Sequence, residues 1–136
     1  MKTEKNKILS LLLYLTGIHS FIVGLGLIFL PLSIFEFLGF HHEVERFFPA
    51  QGGVFHLLMA VCYSLAARNL LKYEQMIVFS VIVKSGATIF LLIYFIFIDP
   101  VALVLLSCVS DFALGLLIYI LYRRLKKTSF FSQDKL

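Results

Sequence analysis

The sequence has only two cysteines. Cys62 and Cys108 each sit inside a hydrophobic run, far from any CxxC pattern. That argues against a disulfide framework, and both read as small apolar packing residues. Catalytic signatures are missing too: there is no serine elbow, no HExxH, no phosphate-binding loop and no pair of carboxylates within an apolar run. The net charge is +4, yet the basic residues form no face that would read nucleic acid, so no nucleic-acid partner is expected.

Long hydrophobic runs fill the chain instead. Of 136 residues, 60% are hydrophobic, and the mean hydropathy of +0.96 is too high for a soluble globule of this size. A helix needs about 20 apolar residues to cross a hydrocarbon core of roughly 30 Å. Four stretches qualify: 8–30, 50–71, 76–98 and 101–122. They predict an all-α integral membrane protein, a single up-down bundle of four transmembrane helices, followed by a basic polar tail over 123–136. No room is left for a soluble domain.

The basic residues report topology. Lys2, Lys5 and Lys7 precede the first run, Arg68 and Lys72 flank the second connection, and Arg123, Arg124, Lys126, Lys127 and Lys135 follow the last. The other two connections hold Arg46 beside Glu36, Glu43, Glu45 and Asp99. Positive residues favour the cytoplasmic side, so four crossings with both termini cytoplasmic are expected, with membrane lipid as the first partner. The first run follows lysines as a signal peptide would. It exceeds the usual apolar core of about 7 to 15 residues and no A-x-A-like site follows, so it is read as the first helix.

The long connection from Pro31 to Pro49 carries Ser33 and Glu36 in capping-box spacing, apolar residues behind them, and Gly39 as a stop. This predicts a short interfacial helix, with Pro49 at the start of the second membrane helix. The tight connections at 72–75 and 99–100 predict antiparallel neighbours on either side of each.

Each run carries small or polar residues at four-residue spacing, hence on one helix face. These are Thr16, Ser20 and Gly24; Gly52, His56, Ala60 and Ser64; Ser80, Lys84 and Thr88; and Ser107, Asp111 and Gly115. Small residues let helix backbones approach, which makes Gly24, Gly52 and Gly115 candidate packing positions. Tyr73, Tyr119 and Tyr122 fall near the cytoplasmic boundary, where aromatic rings are favoured.

Lys84 and Asp111 are the most informative residues, because a charge at mid-bilayer costs about 2.5 to 3.5 kcal/mol. Their depths differ by about one helical turn, and each side chain leans toward its own N-terminus, away from the other. Direct pairing and a bridge through water or the Thr88 hydroxyl both remain open, as do structural and functional roles for the pair. His19 lies at a depth similar to Asp111 and is a candidate proton acceptor. His56 lies nearer the surface, where with Gln51 it can line a cavity mouth. A bis-histidine haem is disfavoured because His19 and His56 differ in depth by roughly 7 Å. His41 and His42 beside Glu43 and Glu45 read as a solvated loop, so no metal or cofactor is expected. A carboxylate pair of Asp111 with Glu36 requires the interfacial helix to dip into the bundle.

The stretch RFFPAQGGVFHLLMAVCYSLAARN, followed by IVKSGATIF and SDFALGLL, resembles small four-helix bacterial membrane proteins of the DoxX-like and BphX-like kind. The resemblance spans about 45–122, with Lys84 and Asp111 falling where such chains carry a lysine and an aspartate. It implies a four-helix inner-membrane protein, in a family whose members include subunits of membrane oxidoreductase systems. No cofactor ligand transfers to a named position. The leading expectation is a non-enzymatic bundle whose polar centre binds a lipid-like or quinone-like small molecule, or an accessory subunit of a homo-oligomer or larger complex. The alternative is a proton-coupled carrier or small membrane isomerase using Asp111 and His19.

Overall fold

The computed structural model describes residues 2–40 and 45–128. His41, His42 and Glu43 lie outside the described residues. Five helices make up the described chain: α1 (Lys2–Phe29), α2 (Leu32–Phe37), α3 (Phe47–Arg68), α4 (Glu74–Phe97) and α5 (Ala102–Lys127). No strand occurs among the described residues. Four of the helices are long and apolar enough to cross a membrane. Their outward faces carry residues such as Ile22, Val61, Ile82 and Leu106, all more than half exposed. Apolar cover on this scale suits hydrocarbon and would be an aggregation surface in water.

The ends of the helices differ from the sequence expectation in ways that have local causes. α3 begins at Phe47, three residues early, because Pro49 falls in its first turn, where backbone N–H groups have no helical partner and none is lost. It stops at Arg68, and Leu70 packs into the core from the following turn. There the Asn69 side chain accepts the Lys72 N–H at 3.0 Å, an Asx-type turn. α5 continues to Lys127, five residues past the expected end, and Arg124, Lys126 and Lys127 in its last turn oppose the negative end of the helix dipole.

The short helix expected between the first two long ones exists, but not by the expected cap. Pro31 occupies the N-cap of α2 with no side-chain hydrogen bond, and Ser33 and Glu36 are both exposed, so no capping box forms. Its end does follow the sequence. Gly39 has φ of 100°, its N–H reaches Glu36 O at 3.0 Å, and the Phe40 N–H reaches Phe35 O at 3.1 Å. That pair of bonds is a Schellman motif, which needs the left-handed residue that glycine supplies. Arg46, just before α3, donates to Ile28 O at 3.0 Å and so caps the carbonyl end of α1.

The long helices pack as two pairs, α1 with α3 and α4 with α5, while α3 and α4 touch much less despite the tight turn between them. The tight connection between α4 and α5 does join close neighbours, as expected, whereas the one between α3 and α4 joins helices that touch less. Small residues decide the α1–α3 pair. Ser10 donates to Ala67 O at 2.7 Å. A Cβ on Gly17 would stand 3.3 Å from Ala60 O, and one on Gly24 would stand 2.9 Å from Gly53 O. Positions 10, 17 and 24 thus meet 67, 60 and 53, two heptads running in opposite directions with the helix backbones nearly touching.

The two pairs join at one end. Leu9 and Leu13 of α1, Tyr63, Ala66 and Ala67 of α3, Ile77 of α4 and Ile118, Tyr122 and Leu125 of α5 form one core cluster. All belong to the half of each helix nearest the α3–α4 turn. Beyond Lys84, α4 has no buried residue.

Candidate functional site

Lys84 stands where this core gives way to the more open half of the bundle. It is 3% exposed and forms an ion pair with Asp111 of α5, which is 13% exposed. Two features resolve the one-turn offset in depth. Gly115 lies one turn beyond Asp111 on the same face, and a Cβ there would stand 2.9 Å from Lys84 Cβ. The lysine stem therefore crosses α5 over a bare backbone and runs on to the carboxylate one turn away. The Tyr63 ring of α3, 5.8 Å from the ammonium, presents its π face from the other pair.

Neither water nor Thr88 is needed as a bridge. The Thr88 hydroxyl instead donates to Lys84 O at 2.7 Å within α4, as do those of Ser80 to Met76 O and Ser64 to Ala60 O in their helices. This local bonding keeps hydroxyls satisfied in an apolar setting. Cys108, a free buried thiol, lies 3.4 Å from Thr88 O and ties the next turn of α5 to α4.

A groove of about 420 Å³ runs between α4 and α5 directly over the ion pair. Lys84, Ser85, Thr88 and Asp111 give it a polar floor, while Val81, Ile89, Phe112 and Leu116 are its apolar walls. Tyr119 and Gly115 line it toward the core end. A concave apolar site with a few convergent polar groups is the usual form of a small-molecule site.

The other candidate residues lie elsewhere. His19 is exposed on α1. Ser20, its neighbour, faces α3. The Ser20 hydroxyl donates to His56 O at 2.9 Å and lies 3.1 Å from His56 Nδ1. With the single hydroxyl proton committed to the carbonyl, Nδ1–H is the donor to Ser20 Oγ. His56 is thereby held in the α1–α3 seam, within electrostatic reach of Lys84 and Asp111 but outside the lining of their groove. Gln51 and Glu36 are exposed, so the carboxylate pair with Asp111 is not assembled. No group of three or more His, Cys, Asp or Glu side chains suited to a metal occurs among the described residues.

Of the candidate packing glycines, Gly24 and Gly115 are at close helix contacts, whereas a Cβ on Gly52 would meet only Leu27 at an ordinary 3.8 Å. Gly53 takes that role: its Cβ would stand 2.6 Å from Gly24 O. Sequence reasoning also missed a surface network in which Tyr122 donates to Glu74 at 2.7 Å and Lys126 donates to Tyr122 at 3.2 Å. The signal was there, since Glu74 opens α4 and Tyr122 and Lys126 share a face near the end of α5. Compared with protein families, curated proteins and solved structures, the chain matches none.

Proposed function

We propose that this is a multi-pass protein of the bacterial inner membrane, both termini cytoplasmic, whose α4–α5 groove holds one lipid-like or quinone-like molecule over the Lys84–Asp111 pair. The orientation rests on the lysine and arginine bias of the α3–α4 connection and the chain ends. Kinship with DoxX-like and BphX-like proteins, which include subunits of membrane oxidoreductase systems, fits an accessory role of this kind.

The single observation that carries the reading is the groove over the ion pair. A pair kept only as glue between helices needs no cleft beside it, and a carboxylate left facing hydrocarbon is costly unless a polar group covers it. Here the carboxylate lies on the floor of an open cleft. A ligand carbonyl or hydroxyl can accept from the Lys84 ammonium or donate to Asp111, while its apolar body lies against Ile89, Phe112 and Leu116.

Mass spectrometry of organic extracts from the purified protein tests this. The expected result is a stoichiometric quinone or lipid on the wild type that is lost from a folded Lys84→Met/Asp111→Leu double variant. Retention of the same molecule by the double variant, or no molecule above the detergent background, overturns the reading.

A further inference from the structure

The seam that joins α1 to α3 is low because small residues form it, with Gly17 lying against Ala60 and Ser64. On either side stand larger apolar residues, among them Ile18 and Phe21 of α1 and Leu57 and Val61 of α3. They bound a groove of about 680 Å³ on the outer surface of the pair. Ile18, Phe21 and Val61 are each at least half exposed along part of it. A second hollow of about 520 Å³ surrounds Lys7 and Asn69, at the end where α1 begins and α3 ends. Tyr14 and Arg68 line both, so the two hollows meet.

Charge is concentrated at one end of this channel. Lys7 and Arg68 are exposed, and among the described residues neither has an ion pair or a side-chain hydrogen bond. Three other basic residues at that end are engaged by the protein itself. Arg123 donates to the Tyr119 hydroxyl at 3.1 Å, Lys126 to that of Tyr122, and Lys72 lies 5.4 Å from the centre of the Tyr73 ring. Two cations from different helices therefore face the mouth of an apolar groove, with no anion paired to either among the described residues. From Arg68 to Leu57 the groove runs about 16 Å, roughly half the thickness of a bilayer core, which is the depth of one leaflet.

We infer that this channel binds one anionic phospholipid from the leaflet at that end, its phosphate between Lys7 and Arg68 and an acyl chain along the α1–α3 seam. Charge and apolar surface fall in the order that such a lipid presents them, and basic pockets between membrane helices take anionic headgroups. The site is on the opposite helix pair from the Lys84–Asp111 groove and does not depend on the reading of that groove.

Native mass spectrometry of the full chain in mild detergent decides it, with phosphatidylglycerol and phosphatidylcholine of identical acyl chains added in turn. The wild type should retain one phosphatidylglycerol in clear preference to phosphatidylcholine. Each basic side chain is worth about fivefold, so Lys7→Gln/Arg68→Gln should weaken phosphatidylglycerol binding roughly 25-fold. Arg124→Gln/Lys127→Gln, which removes the same charge from the end of α5, should leave it intact. An equal loss in both double variants, or none in the first, overturns the site. So does equal competition by glycerophosphoglycerol, which has the headgroup and no acyl chain. Lys84→Met/Asp111→Leu should keep the preference, and its loss there would move the lipid to the other groove.

Discussion

The α1–α3 and α4–α5 pairs hold two antiparallel helices together by different means. α1 and α3 are separated in sequence by the longest connection, yet they approach most closely, because Ser10, Gly17 and Gly24 meet Ala67, Ala60 and Gly53 in matched heptads. α4 and α5 have the shortest connection and one glycine at their contact, Gly115, which makes way for a lysine stem. Their union is made by side chains rather than by a backbone seam: the buried ion pair, the Cys108 contact with Thr88 O and the Tyr122–Glu74 hydrogen bond. Close backbone packing in the first pair spreads the interaction over many small van der Waals contacts. In the second, two of the side chains are charges that are useful only together.

That contrast breaks most sharply at the ion pair. Removing one member of a buried pair typically costs about 3 to 5 kcal/mol, because the other is left as an unpaired charge. Lys84→Met and Asp111→Leu should each lower the melting temperature in detergent, and the double variant should recover much of the loss. Asp111→Leu should be the worse single change, since it strands the more deeply buried partner. Simple additivity of the two losses would show that the residues are not coupled.

The seam breaks at Gly24 and Gly53. A Cβ at either meets the backbone oxygen of the other within 2.9 Å, and backbone cannot step aside as a side chain can. Overpacking costs about 1 to 3 kcal/mol, sometimes more. Gly53→Leu and Gly24→Leu should therefore both destabilise strongly, while Gly52→Leu should change thermal stability far less. Equal melting temperatures for the Gly52 and Gly53 variants would contradict the register.

The four long helices, the short helix between the first two and its glycine stop were legible in the sequence, because apolar length and left-handed backbone are local properties. Lys84 and Asp111 stood out for the same reason, being charges in runs that tolerate almost none. The tight connection marked the α4–α5 pair, but the α1–α3 pair was not legible from connection length, and the four-residue spacing chosen for the second run selected Gly52, one position off the seam. The better signal was the seven-residue spacing of Gly53, Ala60 and Ala67, matched by Ser10, Gly17 and Gly24. A heptad follows a nearly straight line along a helix, whereas steps of four drift around it. His19 adjoins Ser20 on the surface side of α1, at the edge of the seam.

A smaller effect sharpens the role of hydroxyls in the seam. Ser20 links α1 to both the carbonyl and the ring of His56. Interhelical hydrogen bonds in membrane proteins average about 0.6 kcal/mol and reach about 1.7. Ser20→Ala should fall in that range, whereas Thr88→Val, which removes only a bond within α4, should shift the melting temperature less. A larger loss for Thr88→Val would assign the groove hydroxyl a structural part that the hydrogen bonds do not give it.

The smallest expected effect has the opposite sign. Gly86 lies in the middle of α4, exposed, with no atom within 4 Å of the place its Cβ would occupy. Its missing side chain therefore serves no close approach. Glycine in a helix interior is less stable than alanine by roughly 0.5 to 1 kcal/mol, because more backbone freedom is lost on folding. Gly86→Ala should raise the melting temperature slightly, while Gly115→Ala, one helix away, should lower it by pressing on Lys84 Cβ at 2.9 Å. The pair of variants isolates contact from propensity, since both make the same chemical change in a helix interior. A destabilised Gly86→Ala would mean that this face of α4 is covered in the folded protein, as it would be at the interface of a homo-oligomer or larger complex. A neutral Gly115→Ala would mean that the lysine stem can move aside, and that the route from Lys84 to Asp111 over α5 is looser than the bare backbone beneath it suggests.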